Sequence, residues 1–247
     1  MLKSASYGRI VFGAAAVLFG VIALRWHDAD TWQNVSTIWR LPFGRAVGDC
    51  LMVAQIAGGV GMMFPRTVRS ASIVLGVVYA LFSLANIPGI IAAPRVFGQY
   101  DGFFEQFCLL SGAVAVYAAA ETDPARAGAL GRVARIGLGL SAISFTLAQV
   151  VYLQVTADLV PKWIPPNQMF WAILTTIAFA LAAVAILTGR QARLAMRLLT
   201  LMLALFGVLV WVPLLIAHPE AHGNWSEFTL TVLIMGATWV VSDVRSF

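Results

Sequence analysis

Eight long apolar runs divide the chain, and short polar connections separate them. The runs lie at roughly 8–25, 46–64, 71–93, 103–120, 134–153, 168–188, 196–217 and 225–242. Each is long enough to cross a bilayer as a helix, which takes about 20 apolar residues. A helix satisfies its backbone hydrogen bonds internally, and the runs lack the strict alternation of a membrane barrel strand. The pattern therefore predicts an all-α integral membrane protein with eight transmembrane helices.

The composition agrees with a bilayer as the solvent. Of the 247 residues, 60% are hydrophobic and 11% are charged, whereas about 25% are charged in a typical soluble domain. The net charge of +5 raises the question of a nucleic-acid partner. We expect none, because the basic residues are spread over short connections and form no single stripe. The expected partner is the lipid bilayer.

The basic residues also predict an orientation. Counting alternate connections, 11 of the 16 lysines and arginines fall on one side, and 8 of the 11 acids and all three histidines fall on the other. Basic connections face the cytoplasm in membrane proteins. We therefore expect both termini in the cytoplasm and most of the titratable groups on the outer side.

The chain contains an internal repeat. IPGIIAAPRVFG at 87–98 matches VPLLIAHPEAHG at 212–223, and Glu105 matches Glu227 a few residues later. Each half holds four spans, and an even number of spans keeps the halves parallel about an axis along the membrane normal. The first run matches an internal span, so we expect it to be retained rather than cleaved as a signal peptide. The prediction is two parallel tandem four-helix repeats in one compact unit, residues 1–125 and 126–247.

Three acids lie just inside the predicted outer ends of spans: Asp49, Glu105 and Glu227. A charged side chain costs about 2.5–3.5 kcal/mol at the centre of a membrane helix, so such groups tend to face a cavity or a partner. One interpretation is that they bind a ligand or a proton. The other is that Glu105 and Glu227 occupy the first turns of their helices, near the positive ends of the dipoles, while Asp49 pairs with Arg45.

The sequence HPEAH at 218–222 suggests a second kind of site. His218, Glu220 and His222, with His27, carry the imidazole and carboxylate groups that zinc and other first-row metals accept. Their repeat counterparts are Ala93, Arg95 and Phe97, so the repeated frame does not require them. The alternative is a solvated loop in which Pro219 and Gly223 end one helix and turn the chain.

Two more features have alternative interpretations. Cys50 and Cys108 lie beside the acids near outer span ends, either as a redox pair facing a quinone or as two inert thiols. The segment 31–41 has apolar residues at helical spacing, either as an amphipathic helix that lies on the outer surface and caps a pocket or with its tryptophans as part of an interfacial aromatic belt.

The second half, especially residues 157–195, resembles the DoxX-like membrane proteins. The likeness lies in PKWIPP before a span, an Arg-x-x-Arg pair after it, and the four-span unit. The resemblance implies a bacterial inner-membrane protein loosely associated with quinone-linked redox chemistry. It provides no catalytic residues for numbered positions of this chain.

These observations favour a protein that binds a small apolar or quinone-like molecule and supports a membrane redox partner. If it is an enzyme, we expect a subunit of a quinone-linked oxidoreductase, with a quinone better supported as cofactor than a metal. The pocket is expected to open outward between the halves. The alternatives are a small-solute transporter, although no span centre carries a charge or an evident broken helix, and a membrane scaffold without chemistry.

Overall fold

The protein is helical throughout the residues that the structure describes. This structure, a computed structural model, describes residues 7–26 and 35–244, and within them there is no strand. The helices, in chain order, are α1 Tyr7–Trp26, α2 Val35–Trp39, α3 Gly44–Met63, α4 Val68–Ala85, α5 Ile87–Ala92, α6 Phe97–Ala119, α7 Pro124–Val151, α8 Leu153–Leu159, α9 Gln168–Thr188, α10 Ala192–Phe206, α11 Val212–Ala217 and α12 His222–Asp243.

The prediction of eight spans is confirmed for the described part of the chain. Six single helices (α1, α3, α6, α7, α9 and α12) are long and apolar enough to cross a membrane. The third and seventh spans are composite, α4 with α5 and α10 with α11. Length and apolar composition together therefore define a multi-pass helical membrane protein.

The spans pack in chain order around a closed ring. α1 packs on α3, α3 on α4, α4 on α6, α6 on α7, α7 on α9, α9 on α10, and α10 on α12, which returns to α1. α6 and α12 also pack against each other, so these two helices meet across the middle of the ring. Any residue on their facing sides is thereby brought to the centre of the molecule.

Small residues allow the helices to approach closely. A Cβ atom on Gly59 of α3 would lie 2.6 Å from the carbonyl oxygen of Gly13 on α1, and one on Gly13 would lie equally close to the carbonyl of Gly59. A Cβ on Gly112 of α6 would lie 2.7 Å from the Cβ of Ala237 on α12. Backbone contact at these points explains why small residues are placed there.

The third and seventh spans are interrupted, contrary to the expectation of unbroken helices. α4 ends at Ala85, and Asn86 separates it from α5, in which Pro88 is the second residue. A single π turn, Gly207–Trp211, separates α10 from α11 before Pro213. Proline lacks an N–H and its ring crowds the carbonyl four residues earlier, so a regular helix cannot pass through it unchanged. In the seventh span the N–H of Val212 bonds instead to the carbonyl of Gly207, five residues back.

The predicted first-turn positions of Glu105 and Glu227 are wrong. α6 begins at Phe97 and α12 at His222, so Glu105 lies in the third turn and Glu227 in the second. Hydropathy detects a span only where the residues become apolar, whereas these helices begin directly after a polar turn. Gly223 likewise lies inside α12 and does not end a helix, whereas Pro219 lies in the turn between α11 and α12.

The surface helix predicted for 31–41 is present in part. α2 covers Val35–Trp39 and packs on α3 and α4, with Ile38 buried. Residues 31–34 lie outside the described residues.

Candidate functional site

The α6–α12 contact brings three carboxylates together. Asp101 and Glu105 lie four residues apart on α6, which places both on one face of that helix. Glu227 comes from α12, and the charges of Asp101 and Glu227 both act on Glu105. We call Asp101, Glu105 and Glu227 the acid cluster. Two of its members were predicted as ligand or proton sites, and the structure brings these two together.

Asp101 was missed as a candidate by the sequence reasoning. The Oγ of Ser144, on α7, donates a hydrogen bond of 3.1 Å to its Oδ1, so a third helix contributes to the cluster. The available signal was the four-residue spacing to Glu105. This signal was missed because the apolar run that predicts the fourth span begins at residue 103, which leaves Asp101 outside the predicted helix.

The Oε2 atom of Glu105 is buried and accepts no hydrogen bond from any described residue. A buried carboxylate oxygen without a donor is costly, and nearby negative charges add to that cost. A proton on one of the carboxyl groups, or an external cation, relieves both. Among the described residues no three His, Cys, Asp or Glu side chains form a group able to hold a metal ion, the acid cluster included.

Asp49 does not belong to the acid cluster. It lies half-buried on α3, which packs mainly on α1, α2 and α4. Neither Glu105 nor Glu227 has Asp49 among the charges acting on it. The structure therefore joins two of the three predicted acids and leaves the third on another helix.

The two histidines of HPEAH have different neighbours. His218 caps the end of α11, and its Nδ1 lies 3.6 Å from Oε1 of Glu220, with both side chains more than half exposed. His222, the first residue of α12, stacks on Trp26 at 5.1 Å, and its Nε2 lies 3.0 Å from the Oγ of Ser226. The other proposed metal ligand, His27, lies outside the described residues, so a metal site here stays a prediction.

The two cysteines lie in different environments. Cys50 is exposed on α3, Cys108 is buried on α6, and both are free thiols. A disulfide between them is therefore not present, and a redox pair stays a prediction.

A cavity of about 520 Å³ lies among helices of the second half. Its walls come from α8, the connection between α8 and α9, α9, α10, the π turn, the end of α7 and the middle of α12. Most of the lining side chains are aliphatic or aromatic. All of the lining residues lie between Gln149 and Thr231. The pocket predicted between the halves therefore does not correspond to this cavity, and none of the acid cluster lines it.

A few polar groups face this apolar cavity. Oε1 of Gln149 accepts hydrogen bonds from the hydroxyls of Thr175 and Thr176, at 3.4 and 3.0 Å. These bonds hold the amide so that its other end, Nε2, donates to no described residue. The hydroxyl of Thr231, also in the lining, makes no hydrogen bond within residues 7–26 and 35–244. An apolar space with a few such donors is the usual form of a small-molecule site.

The cavity lies close to the acid cluster along α12. Thr231 follows Glu227 by four residues, which is about one helical turn. Thr231 therefore lies on the same side of α12 as the carboxylate, one turn further from the polar connection.

Comparisons with known proteins do not add to this description. No family model, curated protein or solved structure matches the chain. Eight apolar helices identify a multi-pass membrane protein, while the resemblance of residues 157–195 to DoxX-like proteins stays a prediction.

Proposed function

We propose that the protein binds a small, mainly apolar molecule with carbonyl groups, such as a quinone, in the cavity of the second half. The cavity is the observation that carries the proposal. Its volume of about 520 Å³ lies in the range of small-molecule sites, roughly 300–1,000 Å³. Its lining is apolar except for a few hydroxyl and amide groups.

The polar groups suit a carbonyl acceptor. Quinone oxygens accept hydrogen bonds, and Gln149 offers its amide N–H while Thr231 offers a hydroxyl. Trp171 and Trp211 add flat aromatic surfaces to the same lining. A ring with carbonyls at its edge would meet donors at its rim and apolar contacts on its faces.

Entry from the bilayer is supported by the outer wall of the cavity. Leu198, Leu201 and Leu205 line it, and all three are 47–56% exposed on the outside of the bundle. That surface faces lipid in a multi-pass protein. A membrane-soluble ligand can therefore reach the cavity without crossing a polar surface.

Binding of decylubiquinone to detergent-purified protein tests the proposal. Quenching of tryptophan fluorescence is a direct signal, because Trp171 and Trp211 line the cavity. Ala178→Trp places an indole in the space that the ligand would occupy, and it should weaken binding by about tenfold or more, which corresponds to about 1.4 kcal/mol.

The matched control is Val184→Trp on the same helix, at a position 62% exposed and outside the cavity. It should leave binding unchanged. Equal binding by wild-type protein and Ala178→Trp, with both folded, would exclude this cavity as the quinone site.

The proposal includes the predicted setting of the protein. We propose a duplicated four-helix unit of DoxX-like type in a bacterial inner membrane, supporting a membrane redox partner. The two matched turns support duplication: Ala93 after α5 has φ −136° and ψ 64°, and His218 after α11 has φ −138° and ψ 68°. Hydroxyl and indole groups also brace them alike, from Tyr100 to the carbonyl of Pro94 and from Trp225 to that of Pro219.

A second candidate function, proton-linked transport, is supported by the acid cluster. Carboxylates that meet between two central helices can pass a proton from one mouth of the bundle inward. In proteoliposomes with an internal pH dye and an imposed potential, Glu105→Gln should abolish protein-dependent proton uptake.

Glu220→Gln is the control for that assay, since Glu220 is an exposed acid in the turn before α12. It should retain the uptake of the wild-type protein. If the wild-type protein shows no proton uptake, this second function is rejected, whereas the proposal of ligand binding in the cavity still stands.

A further inference from the structure

We infer that the protein holds an anionic phospholipid in a groove formed by α4, α6 and α7, with its phosphate at Arg126 and an acyl chain along the groove. This groove is distinct from the cavity of the proposed function. It is lined by ten residues and has a volume of about 340 Å³.

The length of the groove is apolar and its floor is made of small residues. Gly76 and Ala80 on α4 and Ala113 on α6 leave space between the helices, and Ile73 and Val77 form its rim. Ile73 and Val77 are both more than half exposed, so the groove opens on the outside of the bundle. In a membrane protein that outside surface is covered by acyl chains, and a groove of this kind orders one of them.

One end of the groove is basic. Arg126, at the start of α7, lines it together with Tyr117, near the end of α6. Nε of Arg126 lies 3.7 Å from Oε2 of Glu121, which also receives a hydrogen bond of 3.1 Å from Arg69. Two guanidinium groups therefore share the Glu121 carboxylate, while the second nearby acid, Asp123, accepts a hydrogen bond from the N–H of Ala125 and caps α7.

The basic end is held in position by its own contacts. Arg69 also donates to the hydroxyl of Tyr117 at 3.1 Å and lies over that ring at 5.2 Å. Glu121 accepts a hydrogen bond from the backbone N–H of Thr122 at 2.8 Å. Arg126 keeps a 62% exposed side chain, so its guanidinium has donors to offer a phosphate.

The arrangement matches an amphiphile better than a soluble anion. The charged end lies where α6 ends and α7 begins, at the polar boundary of two spans, while the apolar part extends beside Gly76, in the third turn of α4. A phospholipid places a phosphate and an acyl chain in this same order. Free phosphate would occupy only the arginine end.

Native mass spectrometry of the full chain, exchanged into detergent with equal amounts of phosphatidylglycerol and phosphatidylcholine, tests the inference. We expect retained phosphatidylglycerol adducts with the wild-type protein. Arg126→Gln should reduce them about fivefold, the effect of one basic residue near an anionic lipid surface. The control is Arg66→Gln, which removes an arginine from the turn between α3 and α4 that does not line the groove. This variant should not reduce the phosphatidylglycerol adducts.

A second variant tests the apolar part with all charges kept. Gly76→Leu fills the groove, and a Cβ at this position meets no atom nearer than 3.8 Å, so the backbone has room for it. Ala80→Leu fills the same groove at another position if the first variant does not fold. Either should lose phosphatidylglycerol adducts to the same extent as Arg126→Gln.

Three results would overturn the inference. They are equal retention of both lipids by wild-type protein, loss of adducts in Arg66→Gln as large as in Arg126→Gln, and displacement of the adducts by millimolar inorganic phosphate. Decylubiquinone binding in the same variants keeps the two proposals separate, because Gly76→Leu lies outside the quinone cavity and should leave that binding intact.

Discussion

Gly13 and Gly59 lie at a close contact between α1 and α3. Each would place a Cβ 2.6 Å from the other's carbonyl oxygen, and that oxygen belongs to rigid helical backbone. Neither helix can accommodate an added methyl group without moving. The close spacing of these two helices therefore requires glycine at both positions.

We predict that Gly59→Ala lowers the stability of the protein by about 1–3 kcal/mol, the usual cost of overpacking a close contact. Thermal unfolding in detergent of variants that also carry Cys50→Ala, followed by reaction of the buried Cys108 thiol with a maleimide dye, measures the effect. Gly223→Ala is the control, because no atom lies within 4 Å of its added Cβ. Equal midpoints for the two variants would show that α1 and α3 can separate at no cost.

The contacts of Glu121 should make the stability of the protein depend on pH. The backbone N–H of Thr122, followed by the charges of Arg69 and Arg126, lowers the pKa of Glu121 below its usual value of 4.5. A carboxyl whose pKa falls on folding stabilises the folded state above its unfolded pKa, and this contribution is lost as the pH falls through the lowered value.

Glu121→Gln should therefore be less stable than the wild-type protein at pH 6, and the difference should shrink as the pH is lowered below about 4.5. Unfolding midpoints of both proteins across this range measure it. Glu220→Gln, at an exposed acid of another turn, is the control. A difference that is constant with pH would contradict the ion-pair account.

At the scale of elements, the two proline-containing spans are similar in sequence and different in structure. Pro88 follows a simple helix end at Asn86, whereas Pro213 follows a π turn whose residues Leu209, Val210 and Trp211 line the cavity. The extra residue in the π turn rotates these side chains relative to a regular helix. Part of the cavity wall is therefore a consequence of Pro213.

We predict that Pro213→Leu restores a regular helix from α10 into α11 and weakens decylubiquinone binding, because Trp211 turns away from the cavity. Fluorescence quenching measures the change, and circular dichroism should show no loss of helix. Pro88→Leu is the matched control in the first half. Reduced binding in both variants would indicate a general loss of structure rather than a change in the cavity wall.

The sequence predicted the number of spans but not the residues at which two of the helices begin. The eight spans were predictable because apolar length is a local property. The starts of α6 and α12 were not, since the first two turns of both helices contain polar residues and glycine directly after a turn. Asp101 was therefore assigned to a connection, although it lies one turn inside a helix beside Glu105.

For the whole molecule, the ring of spans and the arginine distribution lead to a topology prediction. An even number of spans predicts that both termini lie on one side, and the basic connections predict that this side is the cytoplasm. The test uses sealed inner-membrane vesicles whose cytoplasmic face points outward. In these vesicles the thiol of Arg190→Cys should react with an impermeant maleimide, and that of Lys162→Cys should not. Cys50→Ala removes the exposed native thiol. The reverse labelling pattern would contradict the predicted orientation.

The sequence by itself determined the membrane class, the number of spans and the two acids Glu105 and Glu227 as candidates. These follow from local properties, because about 20 apolar residues favour the bilayer wherever they pack, and a carboxylate among them is conspicuous. Only the tertiary structure decided which groups meet. Asp101, Ser144 and Glu227 come from three helices, and their meeting depends on how each helix is rotated about its axis, which close contacts such as Gly112 against Ala237 set. The cavity of the second half has the same origin, since it is space that helices leave between them rather than a property of any one segment.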